Sequence, residues 1–145
     1  DIIARIKVSP IRYLTIAGYY QHGTIKADHI EGSIVTRYGG GVSYDNNKVM
    51  VRSEYIGGQT GKFLSEGVYL TSGYWVTDKL MALGRADYFK LERDLKDREM
   101  FYTLGLVYTP WKNLRLQLNY TLKEFTSPVD KAYSSLFNFM ATAMF

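Results

Sequence analysis

The sequence is organised by side chains that alternate in polarity over segments of about ten residues. In the clearest segment, Leu114 to Leu122, the even-numbered residues are apolar or aromatic, and the odd-numbered ones include Arg115, Gln117 and Asn119. A period of two puts the two sets on opposite faces of a β-strand, whereas helical spacing would scatter both sets around the surface. The chain is therefore predicted to be all-β and antiparallel.

Nine segments of this kind follow one another, and in most of them a row of apolar or aromatic residues accompanies a row that carries charge. Segments of this length, separated by turn residues, are typical of a transmembrane β-barrel, although a soluble sandwich with one solvated face would show the same alternation. The predicted strands are Ile2–Val8, Ile11–Gln21, Ser33–Tyr44, Lys48–Ile56, Glu66–Val76, Leu80–Leu91, Glu99–Thr109, Leu114–Phe125 and Tyr133–Phe145.

Composition excludes several classes of protein. With 145 residues and 46% hydrophobic content, the chain is long enough for one ordered domain. It has no apolar run of about 18 residues, so a transmembrane helix is not expected. It has no cysteine, which excludes disulfides and thiolate metal sites. The net charge of +4 comes from scattered basic residues, so nucleic acid is not expected as a partner.

The connections between the segments alternate in length. Tight turns are predicted at Ser9-Pro10, Asp45-Asn46-Asn47, Thr77-Asp78-Lys79 and Pro110-Trp111-Lys112-Asn113, and longer polar loops at His22–Gly32, Gly57–Ser65 and Glu92–Arg98. Outer-membrane barrels have short periplasmic turns and longer extracellular loops, so the alternation orients the predicted sheet.

The last segment ends on an aromatic residue and carries Phe137, Phe139 and Phe145 in one row. This resembles the C-terminal signature of bacterial outer-membrane barrels. A wider resemblance covers Lys48 to Phe145 and points to the phosphate-selective porin O and P family. It is carried by Ser53-Glu54-Tyr55, Gly73-Tyr74-Trp75, Gly84-Arg85-Ala86-Asp87-Tyr88-Phe89, Tyr102-Thr103-Leu104-Gly105-Leu106-Val107-Tyr108 and Asn113-Leu114-Arg115-Leu116-Gln117-Leu118-Asn119-Tyr120-Thr121.

The resemblance implies a sixteen-stranded, trimeric channel for small anions or other small solutes, placed in the outer membrane of a Gram-negative bacterium, with an arginine and lysine lining and no cofactor. Residues 1–145 would then be the C-terminal portion of one barrel domain, because single-chain bacterial barrels have an even number of strands. The alternative is that Ile2–Val8 is a tail and the other eight strands close by themselves. No segment matches the family's constriction loop, which favours general diffusion over phosphate selectivity.

The charged rows are the predicted pore lining, and basic residues outnumber acidic ones there, which would bias the channel towards anions such as phosphate. The competing interpretation is that Arg52 and Arg85 pair with carboxylates on neighbouring strands and only maintain a wet interior. The predicted pore-lining residues are Arg5, Lys7, Arg37, Arg52, Glu54, Arg85, Asp87, Arg115, Gln117, Asn119 and Lys123.

Aromatic residues near the predicted strand ends are expected to form membrane-interface girdles in contact with outer-membrane lipid, since Tyr and Trp settle at such interfaces. Packing in a soluble core is one alternative, and stacking against carbohydrate is a further one that nothing in the sequence distinguishes. The predicted girdle residues are Tyr20, Tyr44, Tyr55, Tyr88, Tyr102, Tyr108, Trp111 and Tyr120.

Neither catalysis nor metal binding is predicted. His22 and His29 fall in one loop with Asp28 and Glu31, but their spacing fits no closed set of metal ligands. Both histidines lie in this predicted loop, so the strands offer no histidine base for a hydrolase. The leading functional hypothesis is a passive, anion-biased porin. The alternatives are a non-conducting barrel that anchors other envelope proteins, and a soluble lipocalin-like barrel.

Overall fold

The computed structural model describes residues 1–27, 30–92, 97–127 and 130–143. They form nine antiparallel strands in a single sheet, in which each strand pairs with its neighbours in the sequence. The all-β prediction and the number and order of the strands are confirmed. The strands are β1 (Ile2–Ile11), β2 (Leu14–Ala27), β3 (Ile30–Asp45), β4 (Val49–Thr60), β5 (Phe63–Thr77), β6 (Leu80–Glu92), β7 (Asp97–Trp111), β8 (Leu114–Thr126) and β9 (Lys131–Ala143).

The strands extend into all three predicted long loops, and at Glu92–Arg98 they include Glu92, Asp97 and Arg98. The predicted loop Gly57–Ser65 is wrong, because Thr60 pairs with Phe63 and only Gly61 and Lys62 make the turn. Gly61 has φ 60°, a left-handed conformation that glycine adopts without strain and that suits a two-residue hairpin. The β2 and β3 strands likewise continue through most of the predicted His22–Gly32 loop.

The first predicted turn is also misplaced. Ser9 and Pro10 lie inside β1, and the chain turns at Arg12 and Tyr13, where Tyr13 has φ 70°. The pairing of β1 with β2 shifts register between Val8 and Ile11. A proline has no N–H to donate, so it is tolerated at such an irregularity and on a strand at the edge of a sheet.

The register divides the sheet into two faces, since directly opposed residues point to the same side. Leu104, Tyr120 and Phe137 are opposed across β7, β8 and β9, and they define what we term the apolar face. Arg52 and Thr71, opposed across β4 and β5, belong to the other face, termed the charged face. The alternation seen in single strands thus continues across the whole sheet.

The sheet has almost no interior. Among the described residues only Val35, Met81 and Val107 are buried apolar side chains, whereas Leu104 on the apolar face is 69% exposed. The two edge strands, β1 and β9, do not contact each other within the described part of the chain, so the sheet is open. The described residues include no helix that could span a membrane.

Candidate functional site

The charged face collects all eleven residues predicted to line a pore. Each is placed there by the strand pairings, which make Arg5 opposite Tyr19, Arg37 opposite Gly58 and Lys123 opposite Phe101. Lining a pore stays a prediction, but the shared face is a property of the fold. The full set on this face is Arg5, Lys7, Arg37, Arg52, Glu54, Arg85, Asp87, Arg115, Gln117, Asn119 and Lys123.

Three cations of the charged face are paired with carboxylates. Arg85 binds Asp87 through two contacts of its Nε at 2.9 Å and one of its Nη2 at 2.6 Å. Lys123 Nζ lies 3.2 Å from Glu99 Oε2, and Arg52 Nη2 lies 3.8 Å from Asp45 Oδ2. The partner of Arg52 is on the neighbouring strand, as the competing interpretation expected, whereas Arg85 pairs within its own strand.

Four other cations of this face have no carboxylate partner within the described residues. They are Arg5, Lys7, Arg37 and Arg115. Arg115 donates instead to Gln117 Oε1 at 3.3 Å, and Gln117 in turn donates to Asn119 at 3.3 Å. No described carboxylate pairs with Arg115, and Arg5, Lys7 and Arg37 place further positive charges without an ion pair on β1 and β3.

The carboxylate of Glu54 lies between the side chains of two tyrosines. The Tyr69 hydroxyl donates to Glu54 Oε2 at 2.9 Å, and the Tyr19 phenol approaches the same carboxylate from β2. Tyr19 reaches Glu54 across β3 because Gly39 and Gly41 stand between them: a Cβ on Gly39 would lie 2.5 Å from the Tyr19 ring. The network links β2, β4 and β5.

A shallow depression of about 480 Å³ adjoins this network on the charged face. Its walls include Glu54, Tyr69, Phe89 and Phe101, and the guanidinium of Arg85 lies 4.5 Å from the centre of the Tyr69 ring. The sequence analysis missed the aromatic residues of this face. The signal was present, because Phe89 and Phe101 occupy the same alternating rows as Asp87 and Glu99.

The eight predicted girdle residues all lie on the apolar face, at two levels. Tyr44, Tyr108 and Trp111 are close to the end of the sheet that carries the turns at Arg12-Tyr13, 46–48, 78–79 and 112–113. Tyr20, Tyr55, Tyr88, Tyr102 and Tyr120 lie farther towards the opposite end. Tyr38 and Tyr74, which were not predicted, occupy the same face.

Among the described residues, charge on the apolar face is confined to the end of the sheet opposite the turns at Arg12-Tyr13, 46–48, 78–79 and 112–113. The cations Lys90 and Lys131 are paired there with Glu66 at 3.7 Å and Glu124 at 2.6 Å. The β8 residues Leu114 to Leu122 carry no charge on this face and span about 26 Å along the strand. Transmembrane barrels carry an outward apolar band about 25 Å tall, and at their strand tilt of about 40° this uncharged stretch would cover roughly 20 Å of that height.

The remaining predicted residues divide between described and undescribed parts of the chain. Phe137 and Phe139 lie on the apolar face and are 65% and 64% exposed. Phe145 lies outside the described residues, as do Asp28 and His29. His22 Nδ1 lies 3.1 Å from Thr36 Oγ1, and the described side chains form no cluster that could hold a metal ion.

Comparison with known proteins gives no relative: no family model, curated protein or solved structure matches the chain.

Proposed function

We propose that this sheet is part of the wall of an outer-membrane β-barrel porin, a water-filled channel for the passive diffusion of small solutes. The observation that carries the proposal is the continuous apolar face, which is exposed and uncharged across the middle of the sheet. A water-soluble protein of this size would bury such a surface in a core. Lipid covers it in a transmembrane barrel, while the charged face meets water.

The two unpaired edges of the sheet support the proposal that further strands complete it. β1 and β9 run in the same direction in this antiparallel sheet, so direct closure between them would form a parallel pair. In hydrocarbon an unpaired sheet edge leaves backbone groups without partners at several kcal/mol each. We propose that an odd number of additional strands completes an even-numbered barrel. Sixteen strands and a trimer follow only from the resemblance to the phosphate-selective porin O and P family.

The charges favour an anion-biased channel over a non-conducting anchor. Four cations of the charged face have no carboxylate partner within the described residues, whereas Asp1 and Glu54 are the two carboxylates without a cation among the described side chains of that face. Fixed charges on a pore wall raise the local concentration of the opposite ion. A non-conducting anchor does not require such an excess of positive charge on this face.

The test is conductance of the full-length protein in a planar lipid bilayer. A porin gives stepwise ohmic currents, and a potassium chloride gradient then gives a reversal potential of the sign set by anions. Insertion without current would overturn the channel and favour the anchor. Dispersion of the protein in water without detergent would overturn the membrane barrel itself.

A further inference from the structure

Aromatic side chains occupy the charged face on four consecutive strands. Tyr69, Phe89, Phe101 and Phe125 belong to β5, β6, β7 and β8, and the pairings place them on the side that carries Asp87 and Lys123. Phe89 is 42% exposed although it lies among charged residues. Apolar rings on the water-facing side of a membrane barrel make no contact with lipid, so lipid does not explain their presence there.

Tyr69, Phe89 and Phe101 border the depression of about 480 Å³, which falls within the range of ~300–1,000 Å³ found for small-molecule sites. Phe89 leans over Gly67, where an added Cβ would lie 3.4 Å from its ring. Thr103, on the same wall, shares a 2.8 Å hydrogen bond with Thr121. The surface of the depression therefore combines flat apolar rings with hydroxyl groups.

The charge of the depression argues against an anion. Its only cation among the described lining residues, Arg85, is bound through three contacts to Asp87. Glu54 adds a carboxylate that has only phenol partners. Lys123 Nζ lies 5.1 Å from the centre of the Phe101 ring, but it is paired with Glu99. The depression is thus slightly negative and rich in hydrogen-bond acceptors, which suits a neutral ligand that donates several hydroxyl hydrogens.

We propose that this depression binds a neutral sugar ring, an inference that rests on the proposed function because it requires the charged face to meet water. The apolar C–H face of a pyranose would lie against Phe89 and Phe101, and its hydroxyls would donate to Glu54 and Asp87. Aromatic residues suit such a ligand because they offer large flat contact area with little loss of conformational entropy.

Equilibrium binding of maltotriose to the full-length protein in detergent, measured by titration calorimetry, tests the inference. We expect saturable binding that Phe101→Ala weakens about threefold to tenfold, the loss that a single aromatic contact commonly represents. Phe101→Leu keeps apolar volume and removes the flat ring, so it should weaken binding even if Phe101→Ala does not fold.

Phe137→Leu is the matched control, because Phe137 lies on the apolar face and should leave binding unchanged. Absence of maltotriose binding, equal binding by Phe101→Leu, or displacement by inorganic phosphate would each overturn the sugar site. The readout needs no current, so the two proposals fail separately: binding without conductance counts against the porin, and conductance without binding counts against the sugar site.

Discussion

The hydroxyl of Tyr69 donates a 2.9 Å hydrogen bond to Oε2 of Glu54 and so joins β5 to β4 on the charged face. Tyr19 approaches the same carboxylate from β2. Asp45, Asp87 and Glu99 on this face are bound to cations, so Glu54 differs from them in having only neutral partners. The hydrogen bond from Tyr69 fixes the position of this carboxylate on the charged face and places no cation beside it.

Removing the Tyr69 hydroxyl should cost stability. We expect Tyr69→Phe to lower the free energy of unfolding by about 1 kcal/mol, the net contribution of one hydrogen bond, because Glu54 loses a donor. Unfolding by urea in lipid vesicles measures the effect. Tyr120→Phe is the control, since the Tyr120 hydroxyl has no hydrogen bond within the described residues. In a double-mutant cycle with Glu54→Gln, additive effects would contradict the coupling.

Neighbouring residues of β8 allow a direct test of which face meets lipid. We expect Leu118→Lys, in the middle of the apolar face, to destabilise the folded barrel by about 2–4 kcal/mol, because it places a charge in hydrocarbon. Asn119→Lys lies on the charged face and should cost no more than about 1 kcal/mol, because it removes only the acceptor of the Gln117 hydrogen bond. Urea titrations in lipid vesicles compare the two, and equal effects would contradict the assignment of the faces.

The fold was largely predictable because its signal is local. The alternation of polarity can be recognised within a single strand. The number of strands and the placement of Leu118 and Asn119 on opposite faces therefore followed directly from the sequence. The turns were less predictable. Pro10 favours a turn, but the irregular pairing between Val8 and Ile11 accommodates it within β1. Gly61 has a conformation that closes a hairpin in two residues, which polar composition alone does not distinguish from a loop.

The candidate site was predictable as a surface but not as a set of contacts. Which face carries Arg85 follows from its position, whereas its pairing with Asp87 within one strand depends on side-chain conformation. The meeting of Tyr19 with Glu54 depends on the relative register of β2, β3 and β4. Register couples residues far apart in the chain, and a single sequence carries little information about it.

Gly39 is required by the close approach of two neighbours. A Cβ at this position would lie 2.5 Å from the Tyr19 ring and 2.6 Å from the backbone oxygen of Tyr55. We expect Gly39→Ala to destabilise the barrel by about 1–3 kcal/mol, since the backbone oxygen has little freedom to move. Gly84→Ala is the control, because its nearest neighbours are 3.9 and 4.0 Å away. Thermal unfolding compares them, and a smaller loss for Gly39→Ala would be inconsistent with the packing.

The unpaired cations should control ion selectivity. We expect Arg5→Gln and Arg37→Gln to lower the ratio of anion to cation permeability, and their combination to lower it further, because each removes a positive charge that no described carboxylate offsets. The measurement is the reversal potential in a potassium chloride gradient across a planar bilayer. The effect should shrink as salt rises, since screening shortens the reach of each charge to about 3 Å at 1 M.

Arg98→Gln provides the control for charge alone. Arg98 lies opposite Thr126, on the apolar face and away from the proposed pore. Arg98→Gln changes the net charge of the chain by the same amount as Arg5→Gln. The charge it removes lies outside the proposed pore, so the reversal potential should stay at the wild-type value. A shift as large as that of Arg5→Gln would mean that selectivity follows total charge and would remove the argument for an anion-biased wall. An unchanged potential in the Arg5→Gln and Arg37→Gln double variant would do the same.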